Sequence, residues 1–374
     1  MNNSLNLIFL ICFATLGSVG IALWAALIAR KSKGRDLLGW FGGRELIGSP
    51  YGFIDVLLVF FAWMGGQVIA VGVAMVLLGI SHEDISTISG EQEAKLIGLV
   101  GLAQLIGVFL AWGVLYARYG RSGGSQAIGV QPKNIGKDIV LGLVAFAMVI
   151  PIVLLIQWLL TLLLEYEHPS LEMLTRDASW LTFVLVWFVA GFVAPICEEI
   201  FFRGTLQAWL HRLGPGRMKS DQILVGGWDS GVSESGKLGR SKHAQPNSDS
   251  LGENDSDADL NPYRSPRDPA ISGQSESDSG LLAGAGTDPR SWITQSHWPI
   301  YVTSAIFAGL HIGQGAAPIP LFVLSVALGY LYRKTESILP CIVLHMLLNT
   351  FSLFWFTVNS VSYTHLTLPT ICSV

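Results

Sequence analysis

Eight apolar stretches, most of them close to 20 residues long, decide what this chain can fold into. A run of that length crosses a bilayer as a helix, because a helix satisfies its backbone polar groups within one segment. Composition agrees, since 51% of the 374 residues are hydrophobic and only 13% are charged, whereas soluble domains carry roughly 25% charged residues. The predicted fold is an all-α, polytopic transmembrane helix bundle with about eight spans. They are 6–29, 53–78, 96–117, 139–164, 180–209, 299–317, 321–332 and 338–358.

The charges of the loops predict the direction of each helix. Basic residues follow the first, third, fifth and seventh predicted spans, and acidic loops at 82–93 and 165–172 follow the second and fourth. Because Lys and Arg concentrate in cytoplasmic loops, the basic flanks are expected in the cytoplasm and both termini outside it. The net charge of −4, with no basic patch, makes nucleic acid an unexpected partner.

Two segments differ from the apolar runs. Residues 213–298 are rich in Ser, Asp, Gly and Asn, and a segment of this kind buries too little apolar surface to offset its ordering entropy. It is predicted to be a disordered, polar cytoplasmic loop. Residues 361–374 include a stretch that resembles the translation of a sequencing-library adapter, and this tail is interpreted as non-native.

The fifth predicted span carries three ionisable side chains. Such a residue at membrane depth costs roughly 2.5–3.5 kcal/mol on the insertion scale, so it is kept where it pairs, lines a cavity or does chemistry. Glu199 and Arg203 are four residues apart on one helix face, which predicts a structural ion pair. Glu198 points roughly 100° away from Glu199, so it either finds a partner on another helix or is the reactive group.

Two further spans carry polar side chains that can meet these residues. His311 lies in the sixth span, and His345 and Asn349 lie four residues apart on one face of the eighth. A carboxylate can act as a general base, histidines can orient water or hold a metal, and an amide can donate to an oxyanion. Two histidines and a carboxylate also suit zinc, with a fourth position left for water. The residues leave the metal-free and the metal-assisted scheme both open.

Three motifs on these spans resemble the signature of the CPBP family, which contains CAAX prenyl proteases, bacteriocin-processing enzymes and immunity proteins. In chain order they are Glu-Glu-x-x-x-Arg, Phe-x-x-x-His and His-x-x-x-Asn. The resemblance implies an intramembrane endopeptidase with Glu198 as the catalytic base and His311 helping to activate water. It implies that His345 and Asn349 complete the water, metal or oxyanion site, with Glu199 and Arg203 in support. If a metal is needed, the implied ligands of a divalent ion, zinc by their chemistry, are His311, His345 and Glu198.

The resemblance also implies an organisation and a setting. N-terminal transmembrane helices would occupy 1–138, and a catalytic membrane domain would combine 139–212 with 299–360. The expected partners are a protein or peptide substrate and the lipid bilayer, and the expected location is the bacterial inner membrane, crossed several times. Two other functions stay open from the residues alone. One is a non-proteolytic scaffold or immunity protein of the same fold, and the other is a proton-coupled transporter.

Overall fold

The computed structural model describes residues 2–34, 49–81, 90–123, 125, 128–163, 180–213, 220–227 and 297–367. These residues form helices joined by turns, and none of them lies in a strand, which confirms the all-α class. In chain order the helices are α1 (Asn2–Ser32), α2 (Phe53–Leu78), α3 (Gly90–Gly123), α4 (Ile135–Thr161), α5 (Trp180–Arg212), α6 (Ser220–Val225), α7 (Trp298–Gly309), α8 (Pro318–Thr335) and α9 (Leu339–Thr367).

Within the described residues, five helical stretches are long and apolar enough to cross a membrane. They are Ala14–Ser32, Phe53–Leu78, Gly90–Gly120, Pro132–Leu160 and Trp180–Arg212. The chain is therefore an integral multi-pass membrane protein, while the predicted count of eight spans is not confirmed.

The sixth predicted span differs most from the helix that the structure shows there. The sixth span was expected at 299–317, but α7 ends at Gly309 and residues 310–317 run through turns. Two glycines and a proline explain the end of the helix: Gly313 and Gly315 disfavour a helix, Gly315 has a φ of 60°, and Pro318 begins α8. With 12 residues, α7 is roughly 18 Å long, which is shorter than the roughly 30 Å hydrocarbon core.

Helix α5 is the centre of the bundle and packs against α2, α3, α7, α8 and α9. Its hydrogen-bond register widens twice, in π-helical segments at Val189–Val193 and Ile200–Gln207. Pro195 lies between them, and its missing N–H interrupts the regular ladder. Such π segments often occur at functional sites, and the regular turn between these two, Ala194–Glu199, carries both glutamates of the first motif.

Part of the predicted polar loop over 213–298 is helical, because α6 covers Ser220–Val225. Helix α6 and the two glycines after it pack against the start of α2. The Arg212 guanidinium donates to the carbonyls of Tyr51 at 2.9 Å and Gly227 at 2.7 Å, and the Gly227 N–H donates to the Pro50 carbonyl at 2.7 Å. The physical reason is that these backbone groups satisfy one another. Residues 214–219 and 228–296 of the predicted loop lie outside the described residues.

Helix α9 runs beyond its predicted end at 358 and reaches Thr367. It thus includes residues 361–367 of the adapter-like tail, and residues 368–374 lie outside the described part of the chain.

Replacing Gly52 by Ala is expected to release the segment 220–227 from the start of α2. The new Cβ would lie 2.5 Å from the Leu224 carbonyl oxygen and closer still to the Gly226 nitrogen, so the segment must move. Hydrogen–deuterium exchange of 220–227 should become roughly tenfold faster or more. Gly72→Ala, inside α2, is the control, because nothing lies within 4 Å of its added Cβ. Equal exchange in the two variants would contradict this docking.

Candidate active site

Glu199 and Arg203 form an ion pair inside the bundle, as their spacing predicts. Arg203 Nη1 donates to Glu199 Oε1 at 3.1 Å, and both side chains are fully buried. A buried ion is stable only when its partner and further hydrogen bonds replace its lost hydration. The groups around each charge therefore decide how much this ion pair contributes to stability.

The second amino group of Arg203 is held by α8. Arg203 Nη2 donates to the Ser325 hydroxyl at 2.7 Å and to the Ser325 carbonyl at 3.2 Å. The guanidinium carbon also lies over the rings of Phe202 and Phe307, at 5.8 Å and 5.1 Å from their centroids. Cation–π attraction thus supplements the ion pair where no water reaches the charge.

His345 lies between the two carboxylates of α5. Its Nδ1 is 2.8 Å from Glu199 Oε1, and its Nε2 is 3.7 Å from Glu198 Oε2. An ionised carboxylate can only accept a hydrogen bond, so Nδ1 donates its proton to Glu199, and the lone pair of this neutral tautomer lies at Nε2. Glu199 therefore fixes both the orientation and the tautomer of the histidine, in the way that carboxylates position catalytic or metal-binding imidazoles.

Glu198 is the more accessible of the two glutamates. Its side chain is 15% exposed, whereas that of Glu199 is fully buried. The 3.7 Å separation from His345 Nε2 is too long for a hydrogen bond. Glu198 also lies within electrostatic reach of His311. The acid that the sequence left without a partner on its own helix thus lies next to His345, and part of its side chain is exposed.

His311 lies in the turn that follows α7, and its ring is partly buried. Its Nδ1 is 2.7 Å from the Phe307 carbonyl, which can only accept, so Nδ1 carries the proton and Nε2 the lone pair. The Phe307 ring lies next to both imidazoles, with centroid distances of 5.0 Å to His311 and 5.9 Å to His345. The Phe-x-x-x-His motif therefore combines a carbonyl that orients one histidine with a ring that packs against both.

Asn349 connects α9 to the first π segment of α5. Its Nδ2 donates to the Ala190 carbonyl at 2.8 Å. The widened register of a π segment changes which carbonyls are paired within the helix, and Asn349 provides a partner here. This bond is the helix–helix contact that an asparagine at this position can make, and it uses one of the two N–H donors of the amide.

The structure thus brings four of the six predicted site residues together through direct contacts: Glu198, Glu199, Arg203 and His345. His311 is connected to them through the Phe307 ring, and Asn349 lies one helical turn further along α9. Sequence reasoning missed Ser325, because α8 carries no motif. The available signal was a polar residue in an apolar helix, four residues before Gly329.

The predicted metal donors are of the types that zinc prefers, but the structure does not place them around a single point. Both histidines have Nδ1 bound to an acceptor and Nε2 free, which is the usual arrangement of a zinc-binding imidazole. Among the described residues, however, no three His, Cys, Asp or Glu side chains are placed to hold one metal ion. The metal stays a prediction, and the hydrolysis can proceed with Glu198 as the base without it.

One protein family matches the part of the chain that contains these residues. The model of the type II CAAX prenyl endopeptidase Rce1-like family matches residues 180–226 and 285–351. No curated protein and no solved structure matches the chain. The two matched segments contain all three motifs, together with α5, α7 and the first part of α9. The match covers less than a third of the chain, and it supports the resemblance to the CPBP family of CAAX proteases that the three motifs carry.

Proposed function

We propose that this protein is an intramembrane endopeptidase that hydrolyses a peptide bond of a protein or peptide substrate. The observation that carries the proposal is the placement of His345 between two carboxylates, with Glu199 on Nδ1 and the partly exposed Glu198 opposite Nε2. A partly exposed carboxylate next to an oriented imidazole can carry out general acid–base catalysis.

Glu198 acts as the base in this proposal. It accepts a proton from a water molecule, and the oxygen of that water attacks the carbonyl carbon of the scissile bond. The tetrahedral intermediate carries its negative charge on the former carbonyl oxygen. Its collapse breaks the C–N bond, and the proton on Glu198 passes to the departing amine. The products are one carboxylic acid, which then ionises, and one amine, so the water is consumed and the enzyme is regenerated.

The two histidines and Asn349 assist this reaction. Glu198 accepts the proton of one O–H bond of the water, and a lone pair on Nε2 of His345 or His311 accepts a hydrogen bond from the other and limits the orientations of the water. The N–H of Asn349 that Ala190 does not use is a neutral donor for the oxyanion. Phe307 and the ion pair of Glu199 with Arg203 hold the imidazoles in place.

The metal-assisted form of the reaction has a direct test. If His311, His345 and Glu198 hold zinc, the ion would polarise the carbonyl and acidify the bound water. Prolonged treatment with 1,10-phenanthroline should then lower the cleavage rate by about 10²-fold or more, and added zinc should restore it. The inactive isomer 1,7-phenanthroline is the control. Full activity of a protein that keeps less than roughly one metal ion per ten protein molecules would contradict the zinc prediction.

The substrate is proposed to lie at the membrane, because the site belongs to a membrane helix. The name of the matching family adds that prenylated CAAX sequences are one class to test. The proposed location is the bacterial inner membrane, with the basic helix ends and the polar loop in the cytoplasm.

The function is tested with purified protein in liposomes and a peptide panel, with products identified by mass spectrometry. The panel contains peptides that end in a CAAX sequence, with and without a farnesyl group, and peptides that cover the cytoplasmic ends of transmembrane segments. Time-dependent cleavage at a defined bond is the expected result. A folded protein that cleaves no member of the panel would overturn the proposal and favour a scaffold or immunity protein of the same fold.

Replacing Asn349 by Ala separates its two roles. Loss of an oxyanion donor should lower kcat by about 10²–10³-fold, whereas loss of the bond to the Ala190 carbonyl alone should mainly lower stability, by about 1 kcal/mol. We expect the large effect on kcat at a small cost in stability. Asn134→Ala is the control, because it also removes a side-chain hydrogen bond, to Gln131 at 2.8 Å, away from the site. A stable Asn349→Ala protein with unchanged kcat would leave Asn349 as a helix–helix contact.

A further inference from the structure

Ser325 stands at the end of a chain of contacts that begins at His345. His345 Nδ1 donates to Glu199, Glu199 accepts from Arg203 Nη1, and Arg203 Nη2 donates to the Ser325 hydroxyl at 2.7 Å. Ser325 is fully buried. It belongs to α8, which carries none of the three motifs, so nothing in their pattern assigns it a role.

The packing of α8 against α5 fixes where Ser325 lies. One turn further along both helices, Gln207 Nε2 donates to the Gly329 carbonyl at 2.8 Å, so the two helices run parallel with four-residue steps in register. Gly329 permits this approach, because a Cβ there would lie 2.8 Å from Ile300 Cγ2 and 2.9 Å from Gln207 Oε1. The packing of the two helices therefore fixes the position of the Ser325 hydroxyl relative to the Arg203 guanidinium.

We propose that Ser325 is a positioning residue of the cleavage reaction: by holding Arg203, it fixes the Glu199 carboxylate and, through it, the His345 ring beside Glu198. The inference rests on the proposed function. A planar guanidinium bound at both amino groups has one orientation in its plane. Without the hydroxyl, Nη2 keeps only the 3.2 Å contact to the Ser325 carbonyl, so the guanidinium can rotate and Glu199 loses its fixed partner.

The test compares Ser325→Ala, Ser325→Thr and Ser304→Ala with the full-length wild-type protein in liposomes. The substrate is the member of the CAAX-ending and juxtamembrane peptide panel that the wild-type protein cleaves fastest. Ser304 is the matched control, since it is also a fully buried serine and its hydroxyl makes no hydrogen bond to any residue that the structure describes. The measurements are kcat, KM and the midpoint of thermal unfolding.

We expect Ser325→Ala to lower kcat about tenfold, the effect of one hydrogen bond to a charged group, and to change KM by less than about twofold. Ser325→Thr, which keeps the hydroxyl, should restore most of kcat. Ser304→Ala should behave as the wild type does. A purely structural role would instead lower the unfolding midpoint without changing the kcat of the folded fraction.

Three results would overturn the inference. They are an unchanged kcat in Ser325→Ala, an equal loss in the Ser304 control, and a folded Ser325→Thr protein as slow as Ser325→Ala. Each of them leaves the proposed function intact, because the wild-type protein cleaves the peptide in all three cases. A wild-type protein that cleaves no peptide of the panel overturns the proposed function, and the role of Ser325 in cleavage falls with it.

Discussion

Glu198→Gln is expected to lower kcat for peptide cleavage by about 10³-fold, within the range that general acid–base groups contribute, with KM nearly unchanged. Glutamine has almost the volume of glutamate, but its amide cannot take a proton from water at neutral pH. Glu198 is partly exposed and only 3.7 Å from His345 Nε2, so the substitution removes the base while it leaves the packing of α5 in place. Single-turnover cleavage of the best peptide measures the effect on the chemical step.

The control for this prediction is Glu91→Gln. Glu91 lies in the first turn of α3, is 59% exposed and pairs with Lys95 at 2.7 Å. Its substitution makes the same chemical change outside the site and should leave kcat as it is. Cleavage by Glu198→Gln at the wild-type rate would remove Glu198 as the base and, with it, the proposed mechanism.

The helices were predictable because apolar length and helical spacing are local properties. Helix α2 occupies the predicted range 53–78, and Glu199 pairs with Arg203 as their i,i+4 spacing requires. The spacing also separated Glu198 from Glu199 by about 100°. What it could not predict is that both carboxylates face one histidine. An imidazole has nitrogens on two sides, so His345 spans the angle between two neighbouring side chains of α5.

Other features depend on packing between distant segments, which one sequence does not encode locally. The second partner of Arg203 comes from α8, and the contact exists because Gly329 lets α8 approach α5. The carbonyl that Asn349 binds belongs to a π segment of α5. The residue pattern of α5 did not predict this change from α-helical to π-helical hydrogen bonding. Charge and polarity predicted a disordered loop after α5, but the backbone of residues 220–227 finds partners at the start of α2.

Breaking the buried ion pair is expected to give the largest loss of stability. Glu199→Gln and Arg203→Met should each lower the free energy of unfolding by about 3–5 kcal/mol, because each leaves one charge without its partner in the interior. The exposed pair of Glu91 and Lys95 provides the control. Lys95→Met should cost less than about 1 kcal/mol, since water screens that pair. Unfolding by sodium dodecyl sulfate in mixed micelles measures all of these variants on one scale.

The double variant Glu199→Gln/Arg203→Met decides how the two charges are coupled. If each destabilises mainly by stranding the other, the double variant should be more stable than the sum of the single losses predicts, with a coupling energy of about 1–3 kcal/mol. The single losses should also differ. Arg203→Met leaves Glu199 its contact with His345, whereas Glu199→Gln removes both the ionic partner of Arg203 and the charged hydrogen-bond acceptor of His345, so its loss should be the larger. Additive losses no larger than that of Lys95→Met would show that Arg203 is held by Ser325 and the two phenyl rings alone.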